Sequence, residues 1–148
     1  MSINIAYDIW EMECCGKPLK VGDLVEFPVV EPKFKDEFNL SIKDNNININ
    51  IDYYYDFHIF RTCYKRYKIK GKIAKIEILY SKYNENTKSH THKFLKPIEK
   101  TAELVEESVN NCSANIYIIT FENISIEKWK KEFEMEIYKT NLDIEYKI

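Results

Sequence analysis

The stretch YKIKGKIAKIEILYSKY, residues 67–83, contains two alternating patterns that are out of phase with each other. In the first half Lys68, Lys70 and Lys72 stand opposite Ile69 and Ile73. This is the period of two of a half-buried strand, because successive side chains leave opposite faces of the pleat. In the second half the apolar residues are Ile76, Ile78 and Tyr80, one position out of step. A one-residue change of phase requires an extra residue, so a bulge is expected between Gly71 and Lys75.

Strand signals flank this segment on both sides. In INIAYDIWEM, Ile3, Ile5, Tyr7 and Ile9 share one parity. In VGDLVEFPVV, Val25 and Phe27 oppose Leu24 and Glu26, and Pro28 predicts an edge strand or a strand end, since it cannot donate to a ladder. Gly22 is expected to take a positive φ in the preceding turn, with the Asp23 carboxylate accepting turn N–H bonds. Ile47, Ile49, Ile51, Tyr53, Tyr55, Phe57 and Ile59 alternate with polar or amphipathic neighbours. Fully extended, that run would span roughly 43 Å, longer than most strands, so a break inside it is expected. NIYIITFEN reads as a central strand, and NENTKSHTHK as a polar loop carrying solvent-exposed His90 and His92.

Helical spacing occurs twice. Ile98, Ala102, Val105 and Val109 predict a short amphipathic helix over residues 98–110. Ser125 is a candidate cap for a second helix through Ile126, Trp129, Phe133 and Ile137, although Phe133, Met135 and Ile137 also alternate as a strand would. The expected fold is therefore α+β and β-rich. It is a small SH3-like or partly open barrel, or a curved antiparallel sheet, with one or two helices packed on it.

The 148 residues form one expected globular domain, residues 1–148, long enough to bury a core without metal or disulfide staples. The formal net charge of −2 provides no general attraction to nucleic acid or to anionic membrane. No apolar run approaches the ~20 residues of a spanning helix, and Asp8, Glu11 and Glu13 interrupt any secretory h-region. A cytoplasmic protein is expected, in which the 4 cysteines stay reduced; their spacing matches neither a disulfide framework nor a zinc ribbon. The strong excess of Lys over Arg, with abundant Ile and Asn, looks like the product of an AT-rich genome, which suggests a low-GC bacterium or its mobile elements.

The pattern formed by Trp10, Met12, Cys14, Cys15, Gly16, Pro18, Val21, Gly22, Asp23 and Val25, W-x-M-x-C-C-G-x-P-x-x-V-G-D-x-V, resembles the N-terminal signature of an uncharacterised bacterial family known only as a domain of unknown function. That resemblance implies a second, acidic and histidine-rich segment of the form D-x-x-x-D-H-H. Here Asp52, Asp56 and His58 match it, and Phe57 stands where the first His would be. It implies no established activity.

Three groups of residues are candidates for chemistry. Asp52, Asp56 and His58 share a parity, so on one strand they would face the same way and could hold an ion or orient a general base. Adjacent Cys14 and Cys15 would point to opposite faces of a strand, which favours a strand-to-turn junction over a metal knuckle. The segment from Arg61 to Lys75 carries 7 basic residues and no acidic one. Within it Tyr64 and Tyr67 are interleaved with Arg61, Lys65, Arg66, Lys68, Lys70 and Lys72, as in a groove for single-stranded nucleic acid or, more simply, on a solvated strand face. No P-loop, H-E-x-x-H, G-x-S-x-G or dinucleotide fingerprint is present. The sequence thus assigns no catalytic, cofactor-binding or metal-ligating residue and no cofactor. The reading it favours is a non-enzymatic module that binds a protein or a small molecule. The alternatives are a metal-dependent or hydrolytic enzyme on Asp52, Asp56 and His58, and a nucleic-acid-binding barrel using the basic strip.

Overall fold

A computed structural model describes residues 2–9, 19–31, 46–56, 65–97 and 108–133. Among these, seven strands form one curved, mixed sheet: β1 (Ile3–Asp8), β2 (Leu24–Val30), β3 (Tyr53–Tyr55), β4 (Arg66–Asn84), β5 (Ser89–Pro97), β6 (Ser108–Val109) and β7 (Cys112–Lys128). The strand order is β5-β4-β2-β3-β1-β7-β6, and β4 additionally pairs with β7. All pairings are antiparallel except that of β1 with β3, so the expected purely antiparallel sheet is corrected to a mixed one.

The phase change in residues 67–83 is a real distortion of β4. Its register against β7 shifts between Lys70 and Lys72 and again between Ile73 and Lys75. Across the first shift Asn123 and Ile124 of β7 stand against the single residue Gly71, and Asn123 takes a φ of 53°, the left-handed conformation that Asn tolerates. Across the second, Ala74 is the extra residue, which moves the inward set from Ile69 and Ile73 to Ile76, Ile78 and Tyr80. The bent strand serves two neighbours along one edge, β2 through Arg66–Lys72 and β5 through Glu77–Asn84.

Alternation divides the buried residues between two faces of the sheet. Ile3, Ile5, Tyr7, Phe27, Val29, Ile69, Tyr117, Ile119 and Phe121 belong to one cluster, whereas Ala6, Val30, Tyr54, Leu79, Ile116 and Ile118 belong to the other, with Ile47 and Ile51 packed over it. β7 is the central strand expected from NIYIITFEN. Between β1 and β4 its residues Ile116–Ile119 are buried on both faces.

The turn before β2 also forms as the sequence indicates. Gly22 has φ 97°, and its N–H donates to the Ile73 carbonyl at 2.7 Å, while the Asp23 carboxylate accepts from the Lys20 N–H at 3.2 Å.

Several expectations are corrected. Helix is nearly absent among the described residues, limited to Ile9 and a turn at residues 131–133, so the α+β assignment does not hold. Residues 125–128, expected to begin a helix, continue β7. Their backbone pairs with Tyr67–Lys70 of β4, and that ladder outweighs the local three-and-four spacing of apolar side chains. Val109, expected in a helix, pairs with Cys112 across Asn110 and Asn111, both at positive φ, which makes a two-residue hairpin. Residues 98–107 and 134–139 lie outside the described residues.

The stretch expected to be a polar loop turns at residues 85–88 and then forms β5, where His92 opposes Ser81 and is buried. Among the described residues of the 47–59 run only Tyr53–Tyr55 is a strand. The expected break falls between Ile51 and Tyr53, after which the buried parity reverses and Tyr54, not Tyr55, becomes the 1% exposed residue. Finally, β2 is not an edge strand. The Pro28 carbonyl accepts from the Asp56 N–H, on the side away from β4, and the N–H that Pro28 lacks would lie on that same side; the β4 ladder therefore loses no donor.

Candidate functional site

The three groups singled out in the sequence meet different fates. Cys14, Cys15, His58 and Arg61 lie outside the described residues. Asp52 is tied into the fold: its Oδ2 accepts from the Asn4 N–H at 2.8 Å, and its own N–H donates to the Asn4 carbonyl at 2.9 Å. Asn4 in turn bonds the Asn50 carbonyl and the Thr120 hydroxyl, so this aspartate secures the 47–52 segment to β1 and β7. Asp56 is held instead by the Pro28 carbonyl, and its Oδ2 is buried with no hydrogen-bond partner among the described residues. Tyr54, which belongs to the second core, lies between the two aspartates, and both aspartates are partly exposed. Among the described residues no group of three or more His, Cys, Asp or Glu could hold a metal ion.

The basic strip is interleaved with carboxylates. Lys68 and Lys70 of β4 both approach Glu26 of β2, at 3.8 and 4.0 Å, and register sets Lys68 against Glu127 and Lys72 against Glu122 of β7. Lys68 Nζ also lies 4.0 Å from the centre of the Phe133 ring, which is a cation–π contact. Lys65, Lys70 and Lys72 are exposed and Arg66 is partly buried. Carboxylates on both neighbouring strands therefore offset the charge of a strip that looks uniformly basic in sequence.

The structure assembles a different constellation at the end of the sheet where β2 finishes. An aromatic column runs through the first core. Tyr7 and Tyr55 stack at 3.9 Å with their planes 9° apart, Phe27 meets both edge-on, and Phe121 lies 5.1 Å from Phe27. Tyr53 and Tyr67 pack against this core as a corner, with centroids 5.7 Å apart and planes at 69°. The Tyr67 hydroxyl donates to Glu31 Oε1 at 3.0 Å, and the Glu31 backbone is fixed by its N–H to the Lys65 carbonyl. Continuing the β2–β3 register one step past Val30 and Tyr54 brings Glu31 beside Tyr53. Glu31, Asp52, Tyr53 and Tyr67 are each partly exposed.

Burial pushes the Tyr53 phenol above its ordinary pKa, and the negative charges of Asp52 and Glu31 add to the effect. The hydrogen bond to Glu31 holds Tyr67 above the usual value as well. Both rings therefore remain neutral phenols at physiological pH, in the field of two carboxylates. A corner of this kind offers aromatic surface, negative charge and partial access, and it pairs one phenol hydroxyl with a carboxylate.

Sequence reasoning reached these residues only in part. Tyr67 was visible as an aromatic within a basic run and Tyr53 as one of an alternating set, whereas nothing marked Glu31. The one available signal was the pairing of strands 36 positions apart, which places Tyr67 across from Val29 and within reach of Glu31.

A curved, mixed, strand-rich sheet with an aromatic and acidic corner at one end defines a small β-protein. Residues 1–117 match the model of a family described as a family of unknown function (DUF6578), and the chain belongs to that family. No curated protein and no solved structure matches the chain. Among the described residues no helix is long and apolar enough to cross a membrane.

Proposed function

We propose that this chain is a single-domain, non-enzymatic binding module of the bacterial cytoplasm. In this reading the sheet is a small, partly open barrel, its curvature reflecting the pairing of β4 with β2 along one edge and β7 along the other. The observation that carries the proposal is the corner of Tyr53 and Tyr67 with the Tyr67–Glu31 hydrogen bond, a partly exposed recognition surface mounted on paired strands rather than on a loop. The placement of the two aspartates weighs against an enzyme, since the Asn4 backbone engages Asp52 and the buried residue Tyr54 separates it from Asp56. Strand-mounted sites are more precise than loop-mounted ones, which suits recognition of a defined small group.

Amide NMR spectra recorded with choline, guanidinium, acetate, benzoate and adenosine monophosphate, each added separately, test this reading. Chemical-shift changes clustered on Glu31, Asp52, Tyr53 and Tyr67 with at least one probe are expected. If no probe moves these residues, or if any probe is chemically converted, the proposal fails.

A further inference from the structure

We infer that the corner of Tyr53, Tyr67, Glu31 and Asp52 holds a small organic ammonium ion bearing N-methyl groups, a choline-like head group. This rests on the binding-module reading and specifies its ligand. A cation over a neutral aromatic face is attracted by the ring quadrupole, and the attraction grows as the site is desolvated. In an edge-on ring pair, the ring that supplies its edge keeps both faces uncovered by that contact, so the Tyr53–Tyr67 geometry leaves aromatic surface for a third body. The column behind it, Tyr55 stacked on Tyr7, gives the corner an apolar floor.

The sign of the charge follows from the carboxylates. Asp52 and Glu31 both reach Tyr53 electrostatically, and a bound cation would sit within the same field. The hydrogen bonds already made indicate which cation. Glu31 Oε1 accepts from Tyr67 and Asp52 Oδ2 from the Asn4 N–H, so a guanidinium fork on either carboxylate would have to share an oxygen that already accepts a hydrogen bond. A primary ammonium would need three acceptors to replace its hydration. A quaternary ammonium needs none, because it has no N–H and is held by charge and ring contact alone. Register also sets the exposed Lys128 beside Tyr67, and Lys65 flanks Glu31; both are repulsive to a cation, so affinity is expected to be modest.

The test is calorimetric and NMR titration of the full chain with choline, with the neutral isostere in which carbon replaces the quaternary nitrogen, and with guanidinium. Choline should bind with a Kd on the order of 1 mM, appropriate for so few heavy atoms, and the isostere about tenfold more weakly or not at all. Glu31→Gln should weaken choline roughly threefold to tenfold, and Lys128→Glu should tighten it by about twofold to threefold through removal of repulsion. Tyr53→Leu should abolish binding and Tyr53→Phe should retain it, with each variant's melt recorded so that loss of fold is separated from loss of site.

Equal binding of the isostere, or tighter binding of guanidinium, would overturn the ammonium assignment while leaving the binding site in place. Binding of a trimethyllysine peptide without binding of free choline would overturn the small-molecule assignment in the same way. Silence of the corner toward every probe, anions included, would overturn the binding-module reading itself.

Discussion

Replacing Gly71 with alanine tests the account of the central bulge. On the inward face of β4, between Ile69 and Ile73, a Cβ at Gly71 would lie 2.9 Å from Cδ2 of Phe121, 3.1 Å from the Glu122 carbonyl oxygen and 3.4 Å from Cβ of Phe121. Carbon atoms prefer about 3.5–4.0 Å, so something must move. The Phe121 ring is fully buried and packed against Phe27, so it cannot swing into solvent, and the carbonyl belongs to the backbone. Gly71 is not in the left-handed region, so alanine adds no backbone strain and, by stiffening the unfolded chain, returns about 0.4–1 kcal/mol. Overpacking costs about 1–3 kcal/mol, leaving a net loss of about 1.3 kcal/mol at the midpoints of the two ranges. At about 2–4 °C per kcal/mol for a chain of this size, Tm should fall by about 3–5 °C. Thermal and urea melts of Gly71→Ala, Phe121→Val and the double variant provide the assay. Because valine has no δ carbon and so removes the closest contact, the double variant should be more stable than the sum of the single losses predicts, by at least about 0.5 kcal/mol. A Gly71→Ala protein as stable as wild type, or strictly additive losses, would refute the reasoning.

Four further outcomes are expected. Ile51→Asp, which places a charge in the second core, should cost several kcal/mol in a urea melt, while Asn50→Asp on the exposed parity should stay within about 0.5 kcal/mol. At the β6–β7 hairpin Asn111→Gly should leave Tm unchanged or higher, whereas Asn111→Val, which resists the observed φ of 65°, should cost about 1–3 kcal/mol. Tyrosines in the unfolded chain ionise near pH 10, and Tyr53 and Tyr67 ionise above that when folded. The folded state therefore binds more protons above pH 10, and stability should fall as pH rises through that window; the Tyr53→Phe, Tyr67→Phe variant should lose less over the same range in pH-dependent urea melts. Single-stranded DNA and RNA should give flat fluorescence-anisotropy titrations at low salt, because carboxylates on β2 and β7 offset Lys68, Lys70 and Lys72.

The parts of this fold that were legible in sequence are those where one strand's own pattern is sufficient. Ile3, Ile5 and Tyr7 face inward as their alternation requires, and the phase slip in residues 67–83 located a bulge to within a few positions, because two faces cannot exchange roles without an extra residue. What was not legible depends on partners. The spacing of Ile126, Trp129 and Phe133 suits a helix, yet residues 125–128 have β4 beside them and pair with it. The alternation of Ile47 through Tyr55 is unbroken in sequence, but the run changes neighbours at Asp52, where Asn4 captures the backbone, and its buried parity reverses. The polar run ending at His92 looked like a loop because its composition is that of a loop. It becomes a strand because β4 extends to Asn84 and offers it a ladder.

The bulge and the candidate site follow from the same feature of β4. Its first half, on one side of Gly71, pairs with β2 and so brings Tyr67 across from Val29, close enough for its hydroxyl to reach Glu31 just beyond the end of β2. Its second half diverges to pair with β5, while β7 follows both halves by taking up the register shifts. A straight β4 would keep one inward set throughout. With Ile76, Ile78 and Tyr80 needed in the core, the odd positions of the first half, Tyr67 among them, would then face outward, and Glu31 would lose its donor. The phase slip that is visible in the sequence is therefore what allows Tyr67 to stand beside Tyr53 on the inner face, with Glu31 between the strands that carry them.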